Sequence, residues 1–556
     1  MNVLPAPSET TPRTGGGQAR RRGGALLVAL LLAGAPLLAQ GGTAAADTRP
    51  PSGTPATFSA DPLPTVQVDG VVWAQVTVGD TVYATGQFSH ARPAGTAVGD
   101  PAEVVRRNLL AYDITTGKLI ETFDHALNGT GRAIAASPDG TRLYVGGDFT
   151  SVDGAARSRV AGIDTATGQL VGGFATGTGA GVKALAANNT NVYVGGTSGK
   201  MTAYSRQGAL VTSWKPSADR EVSAMLMMPD QKKIIIGGPF GKVNGSTRYA
   251  TAALTAATGA VTTWASSSSS FPIRDQVKAG APAGSGAGVT SLSTDGTYVF
   301  LTSFAYVDRK YQDGTFEGRA ALSPADGKLV WLSDCHGDSY SSFPTGGVLY
   351  SVGHAHDCGP AGAFPETSPR TWHRALAETT AATGKNGAGT GGYISFQGQP
   401  RPTQLAWYPQ QSTGVFTGKN QAGWSVTGNA RYLSIGGEFR TTDGKAQQGL
   451  VRYAVTSLAP NTTGPRAYTG FAVTASGQTV SFPTTWDADN ASLTYTVFRD
   501  GGTTAVHTVT VSTRFWQLPR RTFTDTGVPT ASGHKYVVVV TDPLGNVLRS
   551  PSSTVQ

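Results

Sequence analysis

A chain of 556 residues with 73 glycines, 32 prolines and only 14% charged side chains is poor material for surface helices, which need charged faces and tolerate little glycine. Composition therefore excludes a helical bundle and favours a turn-rich architecture. Of the net charge of +9, part belongs to the first 46 residues; without them 40 basic side chains face 34 acidic ones, with no basic run of the kind that tracks a nucleic acid or anchors to a membrane.

Residues 1–46 read as an export signal. Arg20 to Arg22 form a positive stretch, Ala25 to Ala39 an apolar one broken by Gly34 and Pro36, and Ala44 to Ala46 a small-residue cleavage site. The apolar stretch is shorter than the roughly 20 residues that span a bilayer. The mature chain is expected to start near Asp47 and to be secreted into the extracellular space without a membrane span. General or twin-arginine export both stay open, although RGGALL after the arginines matches the twin-arginine motif poorly.

The next 400 residues repeat. An apolar run ending near a glycine pair occurs as VYATGQF (82–88), LYVGGDF (143–149), VYVGGTS (192–198), IIIGGPF (234–240), VFLTSFA (299–305), LYSVGHA (349–355) and LSIGGEF (433–439). Seven copies spaced mostly 42 to 65 residues apart, each preceded by an alternating strand pattern and followed by two strands around a Thr-Gly or Asp-Gly turn, predict four-stranded propeller blades. Glycine suits those turns because it accepts positive φ. The seventh copy stops at LVRYAV (450–455) without the turn or a fourth strand. Phe58 to Pro62 has the form of the missing piece, so the N-terminus is expected to complete the seventh blade and leave no open edge.

With its YVGGxF and ALDxxTG-like elements over residues 57–455, this repeat resembles the delta-60-type propellers of secreted actinobacterial proteins. The resemblance implies an all-β, seven-bladed β-propeller and often an adjoining adhesive module; it implies no chemistry. Residues 456–465, TSLAPNTTGP, read as a linker with few contacts. Residues 466–556 resemble a fibronectin type III domain, with Trp486 in an early strand and Tyr536 as its corner tyrosine.

Features present in nearly every blade serve packing, so the glycine pairs, from which VFLTSFA and LYSVGHA depart, the turns and the recurring Arg107, Arg159, Arg248, Arg319 and Arg374 are assigned to architecture. Loop length varies on one side of the disc: Ser89–Arg107, Ala305–Gly318, His356–His373, Ala265–Gly288 and Tyr408–Gly423 are long and individual. Binding residues concentrate on such loops. On that side lie CHGD (335–338) and GHAHDC (353–358), holding the only two cysteines. Pairing across a hairpin turn at Thr345–Gly347 sets Cys335 opposite Cys358 and predicts a disulfide. The same register puts His354 and His356 on the cysteine face and His336 on the other. A metal site on His336, His354 and His356 would need a bulge, so metal binding stays open beside local hydrogen bonding.

A second set, between the glycine pair and the aromatic, converges on the axis: Asp148, His354 and Glu438 are expected at the channel mouth. The candidate binding residues are thus His336, His354, His356, Asp148 and Glu438, with Trp372, Trp407 and Trp424 as sugar-stacking platforms; Trp407 also fits a blade aromatic. No HExxH, GxSxG, phosphate loop or repeated Asp box occurs, and no motif calls for a cofactor. The expectation is a secreted, non-enzymatic binding, adhesion or scaffold protein of the bacterial envelope whose partner is a polysaccharide or a surface protein. The alternative is a secreted carbohydrate-active lyase or hydrolase with its site on the same face, since propellers bring distant carboxylates together without a spacing signature.

Overall fold

The computed structural model describes residues 53–174, 179–264, 273, 286–306, 316–391 and 393–556. Residues 1–46, expected to be an export signal, and parts of the loops 265–288 and 305–318 lie outside the described residues. Every regular element described is a β-strand.

Among the described residues, the innermost strands of successive antiparallel sheets are Val71–Val78, Gly131–Ala136, Val182–Ala187, Ala224–Met227, Gly286–Thr294, Ser339–Thr345 and Gly423–Gly428. Each of these strands packs on the next, and the last packs on the first. The sheets therefore stand around one axis, and the fold is a β-propeller built from a repeat.

The glycine pairs explain how neighbouring sheets fit. A Cβ on the first glycine would meet the next sheet: Gly146 would strike Val182 Cγ1 at 2.4 Å, Gly195 Val222 Cγ1 at 2.9 Å and Gly237 Val289 Cγ1 at 2.5 Å. Gly436 faces Val72 Cγ1 at 2.7 Å, so the same fit joins the last sheet to the first. At the second glycine the obstacle is the carbonyl of the sheet's own inner strand, about 2 Å away at Gly86, Gly147, Gly196 and Gly437.

Outer strands are shorter than the sequence predicts. Only Leu329–Ser333 forms a full fourth strand among the described residues; elsewhere the outer run is reduced to single bridges such as Tyr112–Leu119, Ile163–Leu170 and Leu254–Val261. A tight turn precedes the outer run: Asp113 Oδ1 accepts from the backbone N–H groups of Thr115 and Thr116, and Asp164 Oδ1 from those of Ala166 and Thr167. The turn before Leu329–Ser333 is closed by the same backbone bonds, Ser323 N to Lys328 O and Gly327 N to Ser323 O. The N-terminal segment runs beside the last sheet: Ser59 N donates to Ala454 O and Leu63 N to Arg452 O, both at 2.9 Å.

Beyond the ring, one sheet of Thr474–Ser476, Thr479–Phe482 and Arg521–Thr524 faces a second built on Ser492–Arg499 and Lys535–Thr541. Val480, Phe482, Leu493, Tyr495, Tyr536 and Val538 form their shared core. Tyr536 Oη donates to Asp525 Oδ2 at 2.9 Å. Trp486 is not in a strand. It follows Thr479–Phe482 in a loop and packs against Phe515 at the junction with the propeller. Nor is 456–465 a bare connector. Thr462 and Thr463 donate to the Asp61 carboxylate, and Asn546 Nδ2 donates to the carbonyls of Asn461 and Thr463. Asp489 Oδ2 accepts from Ala60 N at 2.6 Å and Ser59 Oγ at 3.1 Å. Composition signalled a flexible link, but side-chain hydrogen bonds hold it on both sides.

Candidate functional site

Six of the innermost strands carry a one-residue register shift at the same place, and the extra residue is Trp73, Arg132, Lys183, Thr290, Tyr340 or Trp424. Such bulges re-aim a side chain without ending the strand. Ser223 takes the corresponding place in the seventh. These residues and the two that follow each of them line the axial channel, with a volume of about 250 Å³. The second tier is uniformly small: Ala74, Ala133, Ala184, Ala224, Ser291, Ser341 and Ser425.

Three of the candidate residues stand against the bulge residue of their own sheet. Asp148 Oδ2 accepts from Arg132 Nε at 2.5 Å, Glu438 Oε1 from Trp424 Nε1 at 3.1 Å, and His354 Nδ1 lies 2.9 Å from Tyr340 Oη. Aromatic rings fill one side of this mouth. Trp424 lies 4.8 Å from Trp73 and 4.3 Å from Tyr340, centroid to centroid, and Arg132 lies over Trp73 at 5.8 Å. The Trp73 indole N–H is buried without a hydrogen-bond partner. Burial, reinforced by the charge of Arg374, lowers the His354 pKa to about 4, so this imidazole is neutral.

His336 and His356 lie elsewhere. Both are buried beside the Cys335–Cys358 disulfide. His336 stacks on Tyr393 at 3.8 Å, with Asp334 and Asp357 at 3.4 and 3.3 Å from its two nitrogens. Burial opposes its protonation, but the two carboxylates outweigh that and raise its pKa to about 9. His356 Nδ1 lies 2.8 Å from Glu366 Oε2, and its ring is 6.3 Å from that of His336. This corrects the strand parity read from the sequence, which grouped His354 with His356. The strand Val348–Ala355 has its own register irregularity between Val352 and Ala355 and ends at Ala355, so His354 lies in the irregular stretch and His356 beyond the strand, where His336 and Asp357 pair in an isolated bridge. The three histidines do not converge, and no group of three or more His, Cys, Asp or Glu among the described residues is arranged to hold a metal ion.

A cleft of about 640 Å³ lies beside the mouth on the same face. The loop after the disulfide contributes Trp372, the start of the strand His373–Thr379 contributes Arg374, the next long loop contributes Tyr408, and the C-terminal unit adds Trp486, Phe515 and Trp516. Mouth and cleft are linked: Arg374 Nη1 donates to Gln421 Oε1 at 2.8 Å, and that oxygen lies 3.2 Å from His354 Nδ1. Of the proposed platforms, Trp424 is at the mouth, Trp372 in the cleft, and Trp407 fully buried as a blade aromatic.

The sequence reading missed Trp73, Arg132 and Tyr340. A signal for them exists: in Val72-Trp73-Ala74, Gly131-Arg132-Ala133, Val182-Lys183-Ala184, Ser339-Tyr340-Ser341 and Gly423-Trp424-Ser425 one variable residue precedes an obligatorily small one. The aromatics of the C-terminal unit carried no such signal.

No protein-family model matches the chain, and no curated protein matches it. Solved structures do. The computationally designed Ika8 protein aligns at 14% identity and TM-score 0.38, covering 70% of this chain and 98% of its own. The WD40 β-propeller domain of Doa1 aligns at 11% identity and TM-score 0.36, covering 72% and 98%. Among the described residues no helix is long and apolar enough to cross a membrane.

Proposed function

We propose that this is a secreted, seven-bladed propeller of the delta-60 type, closed by its N-terminal segment and joined to a fibronectin type III-like module, that binds polysaccharide at the channel mouth. The observation that carries the reading is the contiguous group Trp73, Trp424 and Tyr340, set among Asp148, His354 and Glu438. Apolar ring faces beside a few fixed polar groups suit a sugar, which presents C–H faces and hydroxyl edges to its site. The bulges hold these side chains on strands, so little ordering cost falls on binding.

The test is retention on cell-wall and plant polysaccharides, with new reducing or unsaturated ends followed in parallel. Trp424→Ala is expected to lower retention by roughly tenfold or more, as for a central aromatic anchor. Changes at Thr116, Thr167 or Thr258, in the turns of the opposite face, are expected to leave it intact. Loss from the turn variants with retention by Trp424→Ala overturns the choice of site.

A hydrolase or lyase reading has one observation in its favour. Burial, reinforced by the charge of Asp338, raises the Glu317 carboxyl to a pKa of about 7, and burial raises that of Asp338 to about 6, the range of a general acid. Asp338 N lies 3.3 Å from His354 Nε2, which puts this pair near the mouth. Product formation abolished by Asp338→Asn would establish that reading; retention without product supports a binder.

A further inference from the structure

Arginines recur near the third strand of most sheets, and two of them have opposite surroundings. Arg319 is buried against Glu378, with Nε–Oε2 at 2.7 Å and Nη2–Oε1 at 2.8 Å. Arg374, 9% exposed, donates to the neutral amide of Gln421. Among the described residues it forms no ion pair with a carboxylate, and burial lowers its pKa. Its charge is felt by its neighbours, since burial together with Arg374 depresses both His354 and His373 to about 4. A buried guanidinium without a counter-ion is costly and calls for an anion.

Arg374 is among the residues that line the aromatic cleft, and its guanidinium Cζ lies 5.9 Å from the centre of the Trp372 ring, which lines it too. Trp372 is 49% exposed, an open stacking surface beside a cation. Guanidinium geometry matches a carboxylate through two parallel N–H donors. We infer that the cleft between the sixth-sheet loops and the C-terminal unit is a subsite for a carboxylate-bearing sugar, its ring on Trp372 and its carboxylate on Arg374. This rests on the polysaccharide-binding reading and narrows it to acidic glycans. Trp486, Phe515 and Trp516 form the opposite wall, so the C-terminal unit completes the subsite.

The probe is polygalacturonate, compared with the neutral polymer amylose, titrated into the full-length protein at fixed ionic strength. Polygalacturonate is expected to bind at least tenfold more tightly than amylose. Arg374→Gln and Trp372→Ala are each expected to weaken it about tenfold. Equal affinity for the two polymers in the wild type, or undiminished polygalacturonate binding by both variants, overturns the inference. If Trp424→Ala abolishes binding while the cleft variants do not, the mouth stands and the acidic subsite falls; if the wild type retains no glycan, the underlying reading falls as well. Should Arg374→Gln fail to fold, the exposed Trp372→Ala decides with the salt dependence: affinity that does not decline as salt rises refutes a carboxylate–guanidinium contact.

Discussion

Removing the carboxylate of Glu378 leaves the Arg319 guanidinium stranded. Both groups are almost wholly buried, with side-chain exposures of 1% and 2%. Two arginine–carboxylate bonds disappear, together with the 2.5 Å bond that Ser333 Oγ donates to Glu378 Oε1. Breaking such a pair from one side costs about 3–5 kcal/mol, because a charge remains in a low-dielectric interior. Set against a typical stability of about 5–15 kcal/mol, Glu378→Ala removes a large fraction. The pair joins Gly318–Leu322 of one sheet to His373–Thr379 of the next, so the loss acts on the seam between them. In urea, with a slope of about 3 kcal/mol/M, the midpoint is expected to fall by roughly 1 M. The double change Arg319→Met with Glu378→Leu is expected to recover much of that, since it removes both charges. A single-variant shift below about 0.2 M, by the same slope, would refute the claim that this pair is desolvated and coupled.

Deleting residues 47–66 removes the backbone bonds to Ala454 and Arg452 and the Phe58 N donation to Tyr350 Oη at 2.8 Å; thermal melting is expected to show marked destabilisation, and an unchanged melting curve would show that the N-terminal segment does not close the ring. Stability is expected to decline as pH rises from about 4 to about 8 through Asp487, whose pKa is raised from 3.8 to about 8 by burial and by repulsion from Asp489 and Asp542. In that window the folded state holds a proton that the unfolded chain has lost, so this contribution is complete below the unfolded value and gone above the folded one. Asp487→Asn should flatten that part of the profile; melting temperatures at pH 5 and pH 8 that differ as much in the variant as in the wild type would contradict it.

The repeat was legible because each copy solves one packing problem in the same way, as Gly146, Gly195 and Gly237 do against valines one sheet on. The cysteine pair was legible because a hairpin makes sequence distance a measure of spatial distance. Asp148, His354 and Glu438 reached the mouth because ring symmetry maps equivalent positions to one place. The bulges were not anticipated: an inserted residue costs no change in composition, yet it turned Trp73 and Tyr340 inward, and a separate irregularity between Val352 and Ala355 parted His354 from His356. The Trp486–Phe515 junction was equally hidden, because contacts between units obey no period. The Arg319–Glu378 pair joins residues 59 apart in the chain, and only the fold makes them neighbours.

The fit of Gly146, Gly195, Gly237 and Gly436 to a valine of the following repeat makes these blades halves of shared joints, whereas Thr85, Thr302 and Val352 stand at the equivalent place in the other repeats. A residue that fills the space at Gly146 is answered at Val182, in another repeat, and not within its own. Variation in such a ring is therefore expected to be correlated one repeat ahead and weakly correlated inside a repeat. Whole units, cut so that each carries its own valine and its own glycine, can be duplicated or exchanged with these joints intact. Cuts made elsewhere separate matched halves, which makes the repeat, and not the strand or the loop, the unit by which this ring can grow.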